Sequence, residues 1–297
     1  MALFTGTGVA MVTPFTQDGD VDYAGLRNLT NHLIDGQVEY LVVLGTTGES
    51  ATLSSEEKAK VIETILETND KRIPVVLGAG GNNTAHVCKQ VEDYTHLYKP
   101  AGILSVSPYY NKPTQEGIYQ HYKAVAGSTD LPIILYNVPG RTSKNVFAET
   151  TLRLAHDVDN IIAVKEASGD LAQCMEIIAH KPEGFEVISG DDNLTVPMAS
   201  IGADGVISVI GNALPLPFSS MTRAALDGDF AKAREIHYQI MDLMNLNFVE
   251  NNPGGVKTML SLLGVCGADV RLPLVKGSND LSKKMEHALG KINAIAG

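Results

Sequence analysis

Lys165 ends an apolar run, Ile161-Ile162-Ala163-Val164, bounded upstream by Asp157-Val158-Asp159-Asn160 and downstream by Ser168-Gly169-Asp170. Such a run between polar and turn residues reads as a strand buried on both faces. Burial disfavours the charged form of an amine and lowers its pKa. A neutral lysine is a nucleophile, and its common use is a Schiff base with a carbonyl substrate. A lone lysine of this kind more often reaches solvent or pairs with its neighbour, here Glu166. The assignment therefore rests on what accompanies it.

Its companions fall at the ends of other β-like runs. Gly45-Thr46-Thr47-Gly48-Glu49-Ser50 follows the second run, Ser107-Pro108-Tyr109-Tyr110-Asn111 the fourth and Tyr136-Asn137-Val138-Pro139-Gly140-Arg141-Thr142 the fifth. Ser189-Gly190-Asp191-Asp192 follows the seventh, and Ile207-Ser208 closes the eighth. Hydroxyls can relay protons while a carbinolamine forms and dehydrates. The glycines around Thr46-Thr47 let backbone N–H groups approach a carboxylate. Arg141 offers a planar fork for a second carboxylate. Taken singly, each has a plainer reading. Tyr136 also fits a barrel-filling aromatic, Gly45–Gly48 a tight turn, Tyr109-Tyr110 packing and Arg141 a surface charge. The eight histidines are scattered without a paired ligand spacing, so no metal site is expected.

These residues need a scaffold that gathers strand ends on one face. Runs over Val9–Val12, Tyr40–Leu44, Ile73–Leu77, Gly102–Val106, Ile133–Tyr136, Ile161–Lys165, Glu186–Ser189 and Gly205–Val209 alternate with helical patterns. Eight such units predict an α/β protein of the (β/α)8 TIM-barrel class, whose chemistry sits at the C-terminal strand ends. Gly78-Ala79-Gly80-Gly81-Asn82 does not complete a dinucleotide fingerprint, which disfavours a doubly wound sheet. Ser54-Ser55-Glu56-Glu57 is a capping box before an apolar helical face, and Asn83 and Thr114 open further helices. After Val209 the pattern turns helical: Phe218–Leu226, Phe230–Phe248, Val256–Leu263 and Ser278–Ile295. The predicted division is a catalytic barrel over 1–227 and a C-terminal α-helical appendage over 228–297.

The composition is consistent with this. The 297 residues are 44% apolar, enough for a large core. A net charge of −11 without a basic run disfavours a nucleic-acid partner. The three cysteines, Cys88, Cys174 and Cys266, are distant from one another and read as reduced thiols of a cytoplasmic protein. No secretory leader or membrane span is legible.

Together the Gly45–Glu49, Pro108–Asn111, Tyr136–Thr142 and Lys165–Asp170 motifs resemble the pyruvate-dependent class I aldolase and lyase superfamily. Within it they are most similar to the dihydrodipicolinate synthase family, and the resemblance spans nearly the whole chain. It implies a condensation of pyruvate with aspartate semialdehyde on the path to diaminopimelate and lysine, with no cofactor beyond a covalent Schiff base on Lys165. It further implies that Tyr136 passes protons, Thr46 links it to a Tyr110 donated by another subunit, and Thr47 binds the pyruvate carboxylate. Gly190 and Ile207 would give main-chain contacts, and Arg141 would hold the second substrate's carboxylate. A homotetramer built as a dimer of dimers follows by the same analogy. The alternatives are an N-acetylneuraminate lyase or 2-keto-3-deoxy sugar-acid aldolase on the same scaffold, which usually lack the arginine, and a non-catalytic ketoacid-binding module. Lysine-inhibited relatives carry an interface site matched here by Ser50, Ala51, Asn82 and Tyr109. Their histidine and glutamate positions are occupied by Lys58 and His86, so inhibition by lysine is expected to be weak or absent.

Overall fold

The structure, a computed structural model, describes residues 3–296. Eight parallel strands close into a barrel in chain order: β1 (Gly6–Ala10), β2 (Tyr40–Val43), β3 (Val75–Gly78), β4 (Gly102–Val106), β5 (Ile133–Asn137), β6 (Ile161–Glu166), β7 (Glu186–Ser189) and β8 (Gly205–Ser208). The barrel shuts where Gly6 to Val9 of β1 pair with Gly205 to Ser208 of β8. Side chains alternate between two cores, as the period of a strand requires. Tyr40, Val42, Val76, Leu104, Ile134, Tyr136, Ala163, Ile188 and Ile207 fill the interior, with Phe4 at its base. The intervening residues pack outward against the helices. Phe4 is tethered by its N–H to the Glu186 carboxylate at 3.1 Å.

Two strands differ from the sequence reading by more than one residue at an end. The first is shifted from Val9–Val12 to Gly6–Ala10. The Val12 N–H leaves the ladder to bond Asn212 Oδ1 at 3.1 Å. Gly8, a poor strand former by propensity, is needed because a Cβ there would lie 2.2 Å from the Tyr40 ring. The third strand starts at Val75 rather than Ile73. Pro74 has no N–H to donate, and the Ile73 N–H and C=O are both taken by the Asn69 side chain.

The outer ring consists of α1 (Tyr23–Asp35), α2 (Ser55–Asn69), α3 (Thr84–Tyr98), α4 (Gln115–Ala126), the single turn α5 (Pro139–Thr142), α6 (Ala148–Asp157), α7 (Leu171–His180), α8 (Thr195–Ser200) and α9 (Pro215–Leu226). The predicted capping box is present: Ser54 Oγ accepts the Glu57 N–H, and Glu57 accepts the Ser54 N–H. Asn83 and Thr114 cap α3 and α4. Gly228, at φ +81, turns the chain into α10 (Phe230–Leu246). Then follow α11 (Gly254–Leu262) and α12 (Asn279–Ala296), within about two residues of the expected ranges. Among the described residues no helix is long and apolar enough to cross a membrane.

Candidate active site

Tyr136 and Lys165 are register partners on β5 and β6, so they share the barrel interior at its C-terminal mouth. Lys165 is 5% exposed and its Nζ lies 4.3 Å from the centre of the Tyr136 ring. Burial lowers the Lys165 pKa to about 7; Asp192 opposes the shift and Arg141 adds to it. Burial therefore favours the neutral, nucleophilic amine far more than in a solvated lysine. Burial pushes the Tyr136 phenol up, while the Arg141 charge and the Thr46 hydroxyl pull it back.

Glu166 takes no part as the lysine's counterion. Strand alternation turns its side chain outward, where it accepts from Asn137 Nδ2 at 3.0 Å, the Ser168 N–H at 2.8 Å and Gln173 Nε2 at 2.8 Å. The sequence left open a pairing of Lys165 with Glu166 or an escape to solvent, and neither occurs. The Glu166 bonds instead fix the loop ends on either side of Lys165.

Gly190 reaches the lysine from the adjoining strand. Its N–H donates to the Glu166 carbonyl at 2.7 Å, and a Cβ on it would lie 3.1 Å from Lys165 Cε and 2.5 Å from the Ala167 methyl. Only glycine leaves that wall open beside the amine. Ile207 lies in the barrel interior with Ile188. Thr46–Gly48 form one tight turn, with Thr47 buried and Thr46 exposed. Arg141 lies in the single turn α5 and is exposed at the barrel mouth, near enough to influence both Tyr136 and Lys165. Thus Lys165, Tyr136, Thr46, Arg141 and Gly190 converge within one chain. Tyr110 does not join them: it is 87% exposed in a left-handed conformation, φ 71, beside the exposed Tyr109.

Ser50, Ala51, Lys58, Asn82 and His86 all lie at least partly exposed on the loops and helices after β2 and β3. Asn111 Nδ2 donates to the Asn82 carbonyl at 3.1 Å, which joins those loops to the Tyr109-Tyr110 segment.

The structure adds residues to which the sequence assigned no role. Asp192 is buried, and its pKa rises to about 6 through desolvation. It accepts from Ser208 Oγ at 2.6 Å and from the Ile210 N–H at 2.8 Å, joining the mouth of β7 to that of β8. Its place in Ser189-Gly190-Asp191-Asp192 at a strand end was the available signal. Asn252 lies just before α11, and its Nδ2 donates to Thr47 Oγ1 at 3.0 Å. In the sequence Asn251-Asn252-Pro253-Gly254-Gly255 looks like nothing more than an interhelical turn.

The sequence model of the Dihydrodipicolinate synthetase family matches residues 3–292. A relative from Flavobacterium psychrophilum, named 4-hydroxy-tetrahydrodipicolinate synthase, is 52% identical over 286 residues, covering 96% of this chain and 97% of its own. The crystal structure of dihydrodipicolinate synthase from Aquifex aeolicus superposes with a TM-score of 0.94 at 44% identity, over 98% of both chains. An enzyme of the same name from Cyanidioschyzon merolae, solved with lysine bound, gives 0.94 at 37% identity over 99% of both chains. By the residues gathered at its barrel mouth and by the full length of these matches, the chain belongs to the dihydrodipicolinate synthetase family.

Proposed function

We infer that Lys165 is the Schiff-base nucleophile of a 4-hydroxy-tetrahydrodipicolinate synthase. The chain is a lyase of class I aldolase type that condenses pyruvate with L-aspartate 4-semialdehyde, in the pathway to diaminopimelate and lysine. The observation that carries the residue assignment is the buried Lys165 amine, with its pKa lowered to about 7, against the Tyr136 ring.

The neutral Nζ attacks the pyruvate ketone, and the carbinolamine loses water to give an iminium. Loss of a proton from the methyl carbon makes an enamine, whose carbon attacks the aldehyde and forms the new C–C bond. The substrate's own amino group then displaces Lys165 at the imine carbon, which closes the six-membered ring and frees the enzyme. One water is released per turnover, and no electron carrier or other cofactor is required. Tyr136 serves as acid and base in turn, connected through Thr46 to Tyr110. Thr47 receives the pyruvate carboxylate, Gly190 and Ile207 line the imine pocket, and Arg141 pairs with the carboxylate of the second substrate.

The exposure of Tyr110 on the single chain supports its donation to a partner subunit's site, and with it a homo-oligomer of at least two chains, assembled as a dimer of dimers. A cytoplasmic location fits a biosynthetic step on soluble metabolites. The division into a barrel over 1–227 and a helical appendage over 228–297 belongs to the same reading. So does a lysine site at Ser50, Ala51, Lys58, Asn82, His86 and Tyr109 that has lost its affinity.

Borohydride trapping tests the assignment. Reduction in the presence of pyruvate should place one adduct on Lys165, and Lys165→Ala should abolish it. A peptide map with the adduct on another lysine refutes the nucleophile, and absence of product with aspartate semialdehyde refutes the reaction.

A further inference from the structure

Lys257 of α11 and Glu49 form an ion pair at 2.5 Å with side-chain exposures of 0% and 2%. Each member of the pair makes a further hydrogen bond. Lys257 Nζ also donates to the Asp269 carbonyl at 2.8 Å, and the second Glu49 oxygen accepts the Arg271 N–H at 3.0 Å. The Arg271 guanidinium donates to the carbonyls of Gly19 and Thr52 and, through two nitrogens, to Glu57. Both cations lie over the Phe15 ring, at 4.2 and 4.5 Å.

Stability alone is a weak reason for such a cluster, since well-packed apolar residues often stabilise as much as a buried ion pair. Val256, Met259 and Leu260 already bury α11 in the core. The cluster is distinguished by what it grips. Glu49 ends the Thr46–Gly48 turn in a left-handed conformation, φ 52, which a non-glycine residue holds only when its surroundings over-determine it. Two residues earlier in the chain, Thr47 Oγ1 accepts Asn252 Nδ2, which comes from a position 205 residues away. Thr13 Oγ1 donates to the Gly48 carbonyl at 2.7 Å between them. The turn is therefore held on both sides by a single C-terminal stretch, 252–271.

We propose that Asn252, Lys257 and Arg271 are positioning residues for 2-oxo-acid recognition: they clamp Thr47 and its turn in the geometry that receives the pyruvate carboxylate. The helical appendage then contributes to substrate affinity without touching the substrate. The proposal rests on the reading of Thr47 as the carboxylate site.

The test is the pyruvate concentration giving half-maximal borohydride trapping, measured on the full chain, with Thr47→Val as the benchmark. Asn252→Ala breaks no ion pair, and the double variant Glu49→Gln with Lys257→Met removes both charges together, so neither leaves a buried charge unpaired. Each should raise the half-saturating pyruvate roughly tenfold, the effect of one placed hydrogen bond. Trapping at saturating pyruvate should remain complete, and KM for the aldehyde should stay within about twofold, because Arg141 is untouched. A lower melting temperature with unchanged pyruvate dependence overturns the proposal and leaves a structural strut. Equal losses for both substrates also overturn it. Unchanged pyruvate dependence in Thr47→Val, with trapping intact, fails the reading of Thr47 rather than the clamp's mechanics. If the charge-neutral double variant does not fold, Asn252→Ala decides alone.

Discussion

Lys165 combines a depressed pKa with a counter-charge that limits the depression. Attack on a ketone needs the neutral amine, so the initial trapping rate at low pyruvate should climb with pH up to about 7 and level off above it. Asp192 favours the ammonium form, so Asp192→Asn should move the inflection to lower pH; an unmoved inflection removes Asp192 from the lysine's environment. The same proton links reactivity to stability. The native state gives it up near pH 7 and the unfolded chain keeps it to its usual 10.5, so this group makes stability rise with pH across that window. On the proposed reading Arg141 works on the other substrate. Arg141→Ala should raise KM for aspartate semialdehyde by about ten- to a hundredfold, the loss of one charge-assisted pair, while pyruvate trapping persists. An unchanged aldehyde KM defeats that assignment.

At the level of elements, α2 shows one side chain serving two structures. Glu57 completes the capping box with Ser54 and also takes the Arg271 fork, which holds its carboxyl down at about 2. Ser54→Ala should cost about 1 kcal/mol, a usual cap loss, measured by urea unfolding. Glu57→Ala should cost more, because it also leaves Arg271 without its partner. The sign for Glu57 is that of a depressed acid. Its contribution is present above the ordinary carboxylate pKa of 4.5 and fades as pH falls toward 2. Equal costs for the two substitutions count against the dual role. Elsewhere the strand ends are tied by side-chain amides: Asn137 and Gln173 both donate to the Glu166 carboxylate, which joins β5, β6 and α7 beside the site.

The whole molecule raises the question of completeness. Tyr110 is exposed on its own chain, and on the proposed reading a second copy receives it to complete the relay. Tyr110→Phe should reduce activity strongly without unfolding the chain. Mixing those subunits with Lys165→Ala subunits should restore some sites, since each hybrid interface can pair an intact Tyr110 with an intact Lys165. Proven subunit exchange without recovery refutes the shared site. The surface around the Tyr109 segment also carries the proposed lysine site. On the proposed reading, Lys58 and His86 stand where lysine-inhibited relatives carry a histidine and a glutamate, and an ammonium deprived of its carboxylate partner loses several kcal/mol of binding. Lysine should therefore not inhibit below the millimolar range. The double substitution Lys58→His with His86→Glu should move the enzyme toward sensitivity, read as the lysine concentration for half-inhibition.

What the sequence determined by itself was whatever is encoded locally. The eight apolar runs, the Ser54–Glu57 cap and the end of the Ile161–Lys165 run follow from periodicity and near neighbours, and they placed Lys165, Tyr136, Thr46 and Arg141 on one face. It misplaced β1, because Gly6 and Gly8 carry no apolar signal and their need arises only where the Tyr40 ring and β8 approach. Tertiary structure alone decided which charges face Lys165. Glu166 is its covalent neighbour yet turns away, whereas Asp192 arrives from the next strand. It also decided that Asn252, Lys257 and Arg271 return to the Thr46–Gly48 turn across more than 200 residues. A contact of that separation leaves no periodicity in the chain, and the burial that makes it strong exists only once the barrel and the C-terminal helices have packed together.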